Sequence, residues 1–405
     1  MFNRKPVGGN ISSANGVIKS LVTYGYNVDI LTDDKIPNLE ESDKIKTIYL
    51  PYNKFRSFFL KKIKNKILKK IISKLENFIF RFILFYKVKK ILNFNNYDYC
   101  YIRASFHAHV VLKILKKNKI KLILEVNKPL SMSPYNNSDS EWPKNKKNIL
   151  ITKSEKLQYD YAKVITVDSS LRARWIKDFV GNYKDKILIN NNGVDINSFK
   201  PSKKNEEVLK NLNFTNDEIV IGVASSFRWY NDIQEMFEII NLSLKKNTNL
   251  KYLLVVGDDN KAEKIFELIN RYNVYKSVKV LIKIPFKEMP QILSICDIFL
   301  SHFNFHKKWP HNNSIKHLEY LSMGKPVVAT QAGEVNFAVE NKINGFLCRE
   351  GKIEDYVDAI DTLLKDQSLR KSFGNAARSK AINELSWEAN IDRIFNFISY
   401  LNAKK

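Results

Sequence analysis

The stretch SIKHLEYLSMGKPVVATQAGE, residues 314–334, places a lysine and a glutamate three positions apart, just ahead of a turn into a short apolar strand. Side chains three residues apart lie on one face of a helix, so Lys316 and Glu319 can both reach a single bound ligand. The alternative is a solvent-exposed ion pair, which contributes little to stability. The surrounding elements must decide between these two interpretations.

Short β-branched runs alternate with helical patterns along the whole chain. They predict strands at 26–32, 46–50, 98–102, 120–126, 163–168 and 186–191, and again at 219–223, 252–256, 278–282, 297–300 and 326–329. Apolar strands that alternate with helices predict parallel sheets covered on both faces. The two series therefore predict an α/β protein with two doubly wound domains and a cleft between them.

The boundary between the two series is the stretch NNGVDINSFKPSKKNEE, residues 191–207, which has the Asn, Gly, Pro and Lys content of a connection. Residues 386–401 have apolar side chains at helical spacing and predict a last helix that packs back across the junction. We therefore expect an N-terminal domain at 1–200, a C-terminal domain at 201–385, and a returning helix at 386–405.

Composition narrows the class of protein and of partner. The 405 residues carry a formal net charge of +25, which favours an anionic partner. Three separated cysteines, Cys100, Cys296 and Cys348, have no zinc-ligand spacing and predict buried thiols. The first residues lack the apolar core of a signal peptide, and no apolar run reaches the length of a membrane span. We expect a cytoplasmic protein.

Five stretches resemble glycosyltransferase family 4, the retaining GT-B enzymes, in the order in which that family has them. The stretch NNGVDINSFKP resembles the family's hinge, IGVASSFRWYNDI and YLLVVGDD resemble the nucleotide-sugar domain, and the SIKHLEYLSMGKPVVAT stretch follows. The N-terminal half is similar through GGNISSANGVIKSLVTYGYNVDILT. The resemblance covers nearly the whole chain and implies a GT-B fold with two Rossmann-like domains.

The resemblance also implies site residues. Glu319 matches the glutamate that accepts hydrogen bonds from the nucleotide ribose, and Arg228 matches an arginine that contacts the diphosphate. We expect Lys316 and the preceding helix N-terminus to hold the diphosphate too, since unpaired amides and the helix dipole favour anions. The other predicted nucleotide-sugar ligands are Gly8, Gly9, Ser226, Gly257, Asp258, His311, Ser314, Gly333 and Glu334. The resemblance implies a UDP- or GDP-sugar as donor, and we expect no cofactor and no metal.

Two departures from the family concern the donor site. His311 stands where the family usually has a first glutamate, and no lysine follows Arg228, since the chain continues Trp229-Tyr230-Asn231. The missing charge is either absent or comes from Lys316, Lys307 or Lys308.

A third departure concerns the first strand. Only MFNRKPV precedes Gly8 and Gly9, and this run is a poor buried strand. The first N-terminal strand is therefore expected to be missing, unless another segment fills its place in the sheet.

Nearly half of the net charge lies in residues 54–90, where thirteen Lys or Arg stand against one acid. Apolar residues at helical spacing predict a basic amphipathic helical region at 54–92. Three interpretations of this region are open. Its apolar face packs on the N-terminal sheet, or that face lies on an anionic membrane surface, or the region binds nucleic acid. Nucleic acid is the least favoured, because no nucleic-acid-binding motif is present.

On the acceptor side, polar residues at the ends of predicted strands are candidates, namely Arg103, His107, His109, Glu125 and Asn127. The resulting prediction is a retaining glycosyltransferase that transfers a sugar to a glycan or lipid-linked acceptor in cell-surface polysaccharide or glycolipid synthesis, at the inner membrane face. The alternatives are a GT-B-fold sugar-nucleotide epimerase and a non-catalytic descendant that binds sugar nucleotides or membranes.

Overall fold

The computed structural model describes the chain except residues 1–7, 33–35, 37–38, 40, 51–65, 95, 106–107, 132–148, 226–232, 258, 304–313 and 405. The chain divides into two compact units. The first comprises Met1–Asn191 with Asn390–Lys405, and the second comprises Asn192–Ala389.

The first unit contains two parallel sheets and the helices that cover them. Its elements are α1 (Gly8–Thr23), β1 (Val28–Thr32), β2 (Ile45–Tyr49), α2 (Lys66–Phe94), β3 (Tyr99–Arg103), α3 (Leu112–Lys117), β4 (Lys121–Val126), α4 (Ile149–Tyr161), β5 (Val164–Val167), α5 (Ser170–Phe179) and β6 (Ile187–Ile189). Strands β1 and β2 form one sheet, and β3-β4-β5-β6 form the other.

The second unit is a six-stranded parallel sheet between helices. Its elements are α6 (Glu206–Leu212), β7 (Ile219–Ser225), α7 (Ile233–Lys246), β8 (Leu250–Val256), α8 (Asp259–Arg271), β9 (Val278–Ile282), α9 (Met289–Leu293), β10 (Ile298–Ser301), α10 (Ile315–Ser322), β11 (Val327–Thr330), α11 (Val335–Ala338), β12 (Gly345–Cys348), α12 (Ile353–Lys365), α13 (Gln367–Lys380) and the start of α14 (Trp387–Ala403). The strand order is β12-β11-β10-β7-β8-β9.

The cores follow from the sequence patterns. In the second unit, α7 buries Ile233, Met236, Phe237 and Ile240, which recur every three or four residues, as one face of a helix requires. Burial of a side chain of this size contributes about 1.5–3 kcal/mol to stability. Strand β8, which lies between β7 and β9, is buried on both faces, and this explains why its sequence, LKYLLVV, is nearly all apolar.

The predicted parallel α/β architecture is confirmed. All eleven predicted strands are present, each shifted by at most three residues at either end. The sequence did not predict strand β12, because its residues GFLC include no β-branched side chain and follow the loop-like stretch ENKIN.

Among the described residues, the two sheets of the first unit are separate, with no strand pairing between β1-β2 and β3-β4-β5-β6. Residues 1–7, on which the prediction of a missing first strand rests, lie outside the described residues. Gly8 and Gly9 belong to the first turn of α1. The ring of Phe395, in α14, stacks on Tyr26 at 5.1 Å and meets Tyr99 edge-on at 5.5 Å.

The last helix, α14, begins in the second unit and continues into the first. Its residues 390–403 pack within the first unit, where Arg393 Nε donates to the Asn190 side-chain oxygen at 2.9 Å. Among the described residues, no helix has the length and hydropathy needed to cross a membrane.

Candidate functional site

The second unit gathers polar side chains where β7, β10 and β11 end. In a parallel sheet these carboxyl ends lie at one edge, which is where ligands bind in open α/β sheets. Helix α10 begins beside this edge with Ser314 as its N-cap residue. Within the described residues, the Ser314 hydroxyl makes no capping hydrogen bond and the His317 amide donates to the Ser314 carbonyl at 3.1 Å, so Ile315 and Lys316 carry the amides that have no acceptor within the helix.

Lys316 and Glu319 form an ion pair on α10. The Lys316 ammonium lies 2.8 Å from Glu319 Oε2, and the Glu319 residue is only 2% exposed whereas Lys316 is half-buried. The interpretation as a solvent-exposed pair is therefore wrong for Glu319, whose carboxylate is buried. A buried carboxylate requires hydrogen-bonding partners, and here one of them is an ammonium that can turn toward solvent.

Tyr320 holds α10 against the end of β7. Its hydroxyl accepts from the Ala224 amide at 2.9 Å and donates to the Ala224 carbonyl at 3.1 Å. Its ring stacks on Phe299 of β10, with centroids 3.9 Å apart. Because Tyr320 is adjacent to Glu319, these contacts set the position of the carboxylate relative to the strand ends.

His317 fastens the same helix to β10. Its Nε2 lies 2.6 Å from the Ser301 hydroxyl, and burial lowers the pKa of His317 from its ordinary value to about 4. The imidazole is therefore neutral at physiological pH. This makes it a structural residue of the site and not a source of positive charge.

We expect His317 to make stability depend on pH in a defined window. The unfolded histidine takes up a proton below about pH 6.5 and the folded one only below about pH 4. As the pH is lowered between these values, the contribution of His317 to the free energy of unfolding therefore falls by up to about 1.4 kcal/mol per pH unit. Above this window the contribution is constant. Urea unfolding of the wild type and of His317→Gln over a pH series measures it; equal pH slopes would contradict it.

Several side chains that the sequence did not single out hold residues 302–303, which directly follow β10. Thr330 Oγ1 accepts from the Phe303 amide at 2.8 Å, and it also lies 2.6 Å from the hydroxyl of Tyr356. Beside them, buried His302 Nε2 lies 3.3 Å from Glu235 Oε1 in the first turn of α7. The available signal was the polar pair Ser301-His302, which directly follows an apolar strand.

The remaining described donor-site candidates lie at loops. Gly257 follows β8, and its amide donates to the Ser225 carbonyl at 3.2 Å, which joins the ends of β7 and β8. Gly333 has a φ of +59°, a conformation that suits glycine, and Glu334 is the N-cap residue of α11. Ser226, Arg228, Asp258, Lys307, Lys308 and His311 lie outside the described residues, as does His107 of the first unit.

The first unit has a cluster of its own at the ends of β3 and β4. Arg103 donates to Glu125 Oε1 at 2.8 Å and to the Ser13 hydroxyl of α1 at 2.7 Å. Glu125 is buried, and the guanidinium compensates its charge. The structure thus brings together two of the predicted acceptor-side residues and adds Ser13, which the sequence did not single out.

Residues 127–131, which follow β4, contact buried groups. Asn127 is half-buried, and the Ser131 amide donates to Glu155 Oε1 at 3.1 Å. Trp175 Nε1 donates to the Ser131 hydroxyl at 3.0 Å. Burial raises the pKa of the Glu155 carboxyl. His109 has its Nδ1 3.0 Å from the Ser154 hydroxyl.

The described side chains contain no cluster of three or more His, Cys, Asp or Glu arranged to hold a metal ion. What the second unit does present is a buried carboxylate, an adjacent ammonium and a helix start at the ligand-binding edge of a parallel sheet. This set suits hydroxyl groups and phosphate oxygens.

Sequence comparison matches residues 204–380 to the family described as Glycosyl transferases group 1. An N,N'-diacetylbacillosaminyl-diphospho-undecaprenol alpha-1,3-N-acetylgalactosaminyltransferase of Campylobacter jejuni is 25% identical over 260 residues, 62% of this chain and 64% of the relative. The capsular polysaccharide biosynthesis glycosyltransferase CapM of Staphylococcus aureus is 26% identical over 234 residues, 56% of this chain and 59% of the relative. The matches span less than two thirds of either relative.

Solved structures resemble the chain over nearly its full length. Sucrose-phosphate synthase from Thermosynechococcus elongatus has a TM-score of 0.67 at 17% identity and covers 98% of this chain and 95% of its own. Anabaena HepE, solved in complex with UDP, has a TM-score of 0.64 at 16% identity, over 96% and 97%. The predicted GT-B fold with two Rossmann-like domains is confirmed. Residues 204–380, which make up most of the second unit, are similar to the glycosyl transferases group 1 family.

Proposed function

We propose that this protein is a retaining glycosyltransferase that moves a sugar from a nucleoside diphosphate to a glycan or lipid-linked acceptor in cell-surface polysaccharide or glycolipid synthesis. The observation that carries the proposal is the buried Glu319 carboxylate on α10 inside a group 1 domain. The curated relatives support the substrate class, because one acts on a diphospho-undecaprenol glycan and another in capsule synthesis.

In the proposed donor complex, Glu319 accepts hydrogen bonds from both ribose hydroxyls. Lys316 turns from Glu319 to the diphosphate, because the ribose hydroxyls take over the carboxylate oxygen that the ammonium contacts at 2.8 Å. The first amides of α10, together with Arg228, provide further donors to the phosphate oxygens. We favour a uridine nucleotide, since the structural neighbour HepE was solved with UDP.

In the proposed reaction, the bond between the anomeric carbon and the β-phosphate oxygen breaks, and the acceptor oxygen bonds to the same face of the sugar. The acceptor proton passes to the departing phosphate oxygen, so the reaction requires no dedicated base. The protein's contribution is to orient both substrates and to stabilise the negative charge that develops on the diphosphate.

On the acceptor side, Arg103 and Glu125 are the proposed contacts, and Asn127 is a further candidate. Arg103→Lys is expected to lower the transfer rate by about 10- to 100-fold, because lysine keeps the charge but not the two-point geometry that holds Glu125 and Ser13. The nucleotide affinity should stay unchanged. The exposed Lys113→Ala is the control, and an equal loss of nucleotide binding in Arg103→Lys would contradict the assignment.

The proposed location is the inner face of the cytoplasmic membrane, on an anionic surface. Residues 54–90 carry thirteen Lys or Arg and one acid, and each basic residue near such a surface adds about 1 kcal/mol of attraction. This partner would bring the enzyme to a lipid-linked acceptor.

The experiment for the donor site is a thermal-shift panel of UDP-, GDP-, ADP-, TDP- and CMP-sugars on the purified chain. A ligand at about tenfold its dissociation constant adds about 1.4 kcal/mol of stability, which is a measurable shift. A shift with one nucleotide, followed by sugar release that depends on an added lipid-linked glycan, supports the proposal. Turnover of the donor with no acceptor would favour an epimerase, and no shift with any nucleotide in folded protein would overturn the donor site.

A further inference from the structure

Helix α2 of the first unit has two apolar faces, of which only one is used by the fold. Phe80 and Leu84 are 1% and 4% exposed and pack into the core formed by β4 and β5. On the other side of the helix, six large apolar residues are exposed, namely Leu75, Phe78, Ile79, Phe82, Phe85 and Tyr86.

The exposed residues form one continuous stripe, which we call the outer face. Their spacing of three and four positions places all six within an arc of about 120° at about 100° per residue. Phe80 and Leu84 lie on the opposite side of the same helix. The sequence pattern alone cannot separate these faces, because apolar residues at 78, 79, 80, 82, 83, 84 and 85 follow one another almost without interruption.

The degree of exposure is unusual for aromatic side chains. Phe78 and Phe82 are each 68% exposed, and Tyr86 is 59% exposed. Single exposed apolar residues are normal on protein surfaces, but a contiguous patch of this kind marks an interaction site.

The charges around the outer face identify the chemistry of the partner. Lys89 and Lys90 are exposed beside it, and Arg81 and Lys87 are half-buried at its margins. The sequence of α2 contains eight Lys or Arg and a single acid. A second copy of the chain would bring two such basic helices together, and the repulsion disfavours a symmetric dimer through this face. An anionic lipid surface accepts both the aromatic stripe and the lysines.

We propose that the outer face of α2 inserts into the lipid interface, with Phe78 and Phe82 reaching the boundary between headgroups and acyl chains while the basic side chains hold the anionic headgroups. This inference rests on the membrane partner proposed above. It adds that apolar side chains enter the lipid, so the contact is more than an attraction between charges. A purely electrostatic surface is released by salt, whereas an inserted aromatic stripe retains binding when charges are screened.

The test is flotation of the full chain with phosphatidylcholine vesicles and with vesicles that also contain phosphatidylglycerol. Salt is raised from about 0.1 M to about 1 M, which shortens the screening length from about 10 to about 3 Å. The double variant Phe78→Ser/Phe82→Ser is compared with Phe266→Ser, an exposed phenylalanine on α8. We expect the vesicle partition of the double variant at high salt to fall at least tenfold, roughly what the loss of one inserted aromatic ring predicts, and that of Phe266→Ser to stay unchanged.

A second readout locates the side chain. The tryptophan added in Phe82→Trp is expected to fluoresce and to be quenched by lipids brominated on their acyl chains. The tryptophan added in Phe266→Trp is expected to show no such quenching. Binding that salt abolishes and that the serine variant leaves unaltered would overturn insertion but keep the electrostatic surface. Absence of vesicle binding would overturn both, and a dimer in lipid-free solution that the serine variant dissociates would overturn insertion. Nucleotide thermal shifts need no vesicles, so the donor-site proposal is judged separately.

Discussion

Glu319→Ala is expected to remove the stabilisation that a nucleotide sugar confers and to weaken nucleotide binding by about 100-fold or more. Each hydrogen bond to a charged group contributes about 1.5–3 kcal/mol, so the loss of two ribose contacts accounts for at least this factor. The effect is large because Glu319 is buried and held in place by Tyr320, so no neighbouring flexible side chain substitutes for it. Isothermal titration with the nucleotide identified in the panel measures it.

Two variants make this result specific. Glu319→Gln keeps the shape and one acceptor oxygen, so it should bind more weakly than the wild type and more tightly than alanine. Glu263→Ala removes an exposed carboxylate from α8 and should leave binding unchanged. Wild-type affinity in a folded Glu319→Ala protein would show that the ribose is bound elsewhere.

Arg378→Ala is expected to destabilise the second unit by about 3 kcal/mol or more, a fall of roughly 6–12 °C in Tm. The Arg378 guanidinium, on α13, donates to the carbonyls of Ile196, Phe199 and Ser322 at 2.7–3.1 Å. Its removal leaves three carbonyl groups in the interior without this donor, including one at the carboxyl end of α10. Differential scanning calorimetry with and without nucleotide measures the change.

Arg378→Lys should rescue only part of the loss, because an ammonium can replace Nη1, which contacts all three carbonyls, but not Nη2, which also donates to the Ile196 carbonyl. Arg349→Ala removes an equal charge from an exposed pair with Asp355 and should change stability by less than about 1 kcal/mol. A Tm for Arg378→Ala within a degree or so of that for Arg349→Ala would contradict the assigned role.

Both effects converge on α10, which carries Lys316 and Glu319. Tyr320 binds this helix to β7, the His317–Ser301 contact binds it to β10, and Arg378 binds its last turn to the segment that leads out of β6. The Glu319 carboxylate therefore sits on an element held from three directions, which suits the proposed task of orienting a ligand.

The sequence by itself determined the alternation of strands and helices, because a short and nearly all-apolar run such as LKYLLVV is typical of a strand in a sheet covered on both faces. It also placed Glu319 and Lys316 on one face of a helix, since an i, i+3 relation is local and no distant contact alters it. The order of the motifs that resemble the family is likewise a property of the sequence alone.

Only the tertiary structure decided which polar residues meet. His302 and Glu235 are 67 positions apart, and Arg103 reaches Ser13 across 90 positions, so their contacts depend on strand order and not on any local pattern. The same holds for α2, where the sequence shows an almost unbroken apolar run. Which of its faces is buried follows from how the helix docks on the sheet, and that docking leaves Phe78 and Phe82 exposed while Phe80 enters the core.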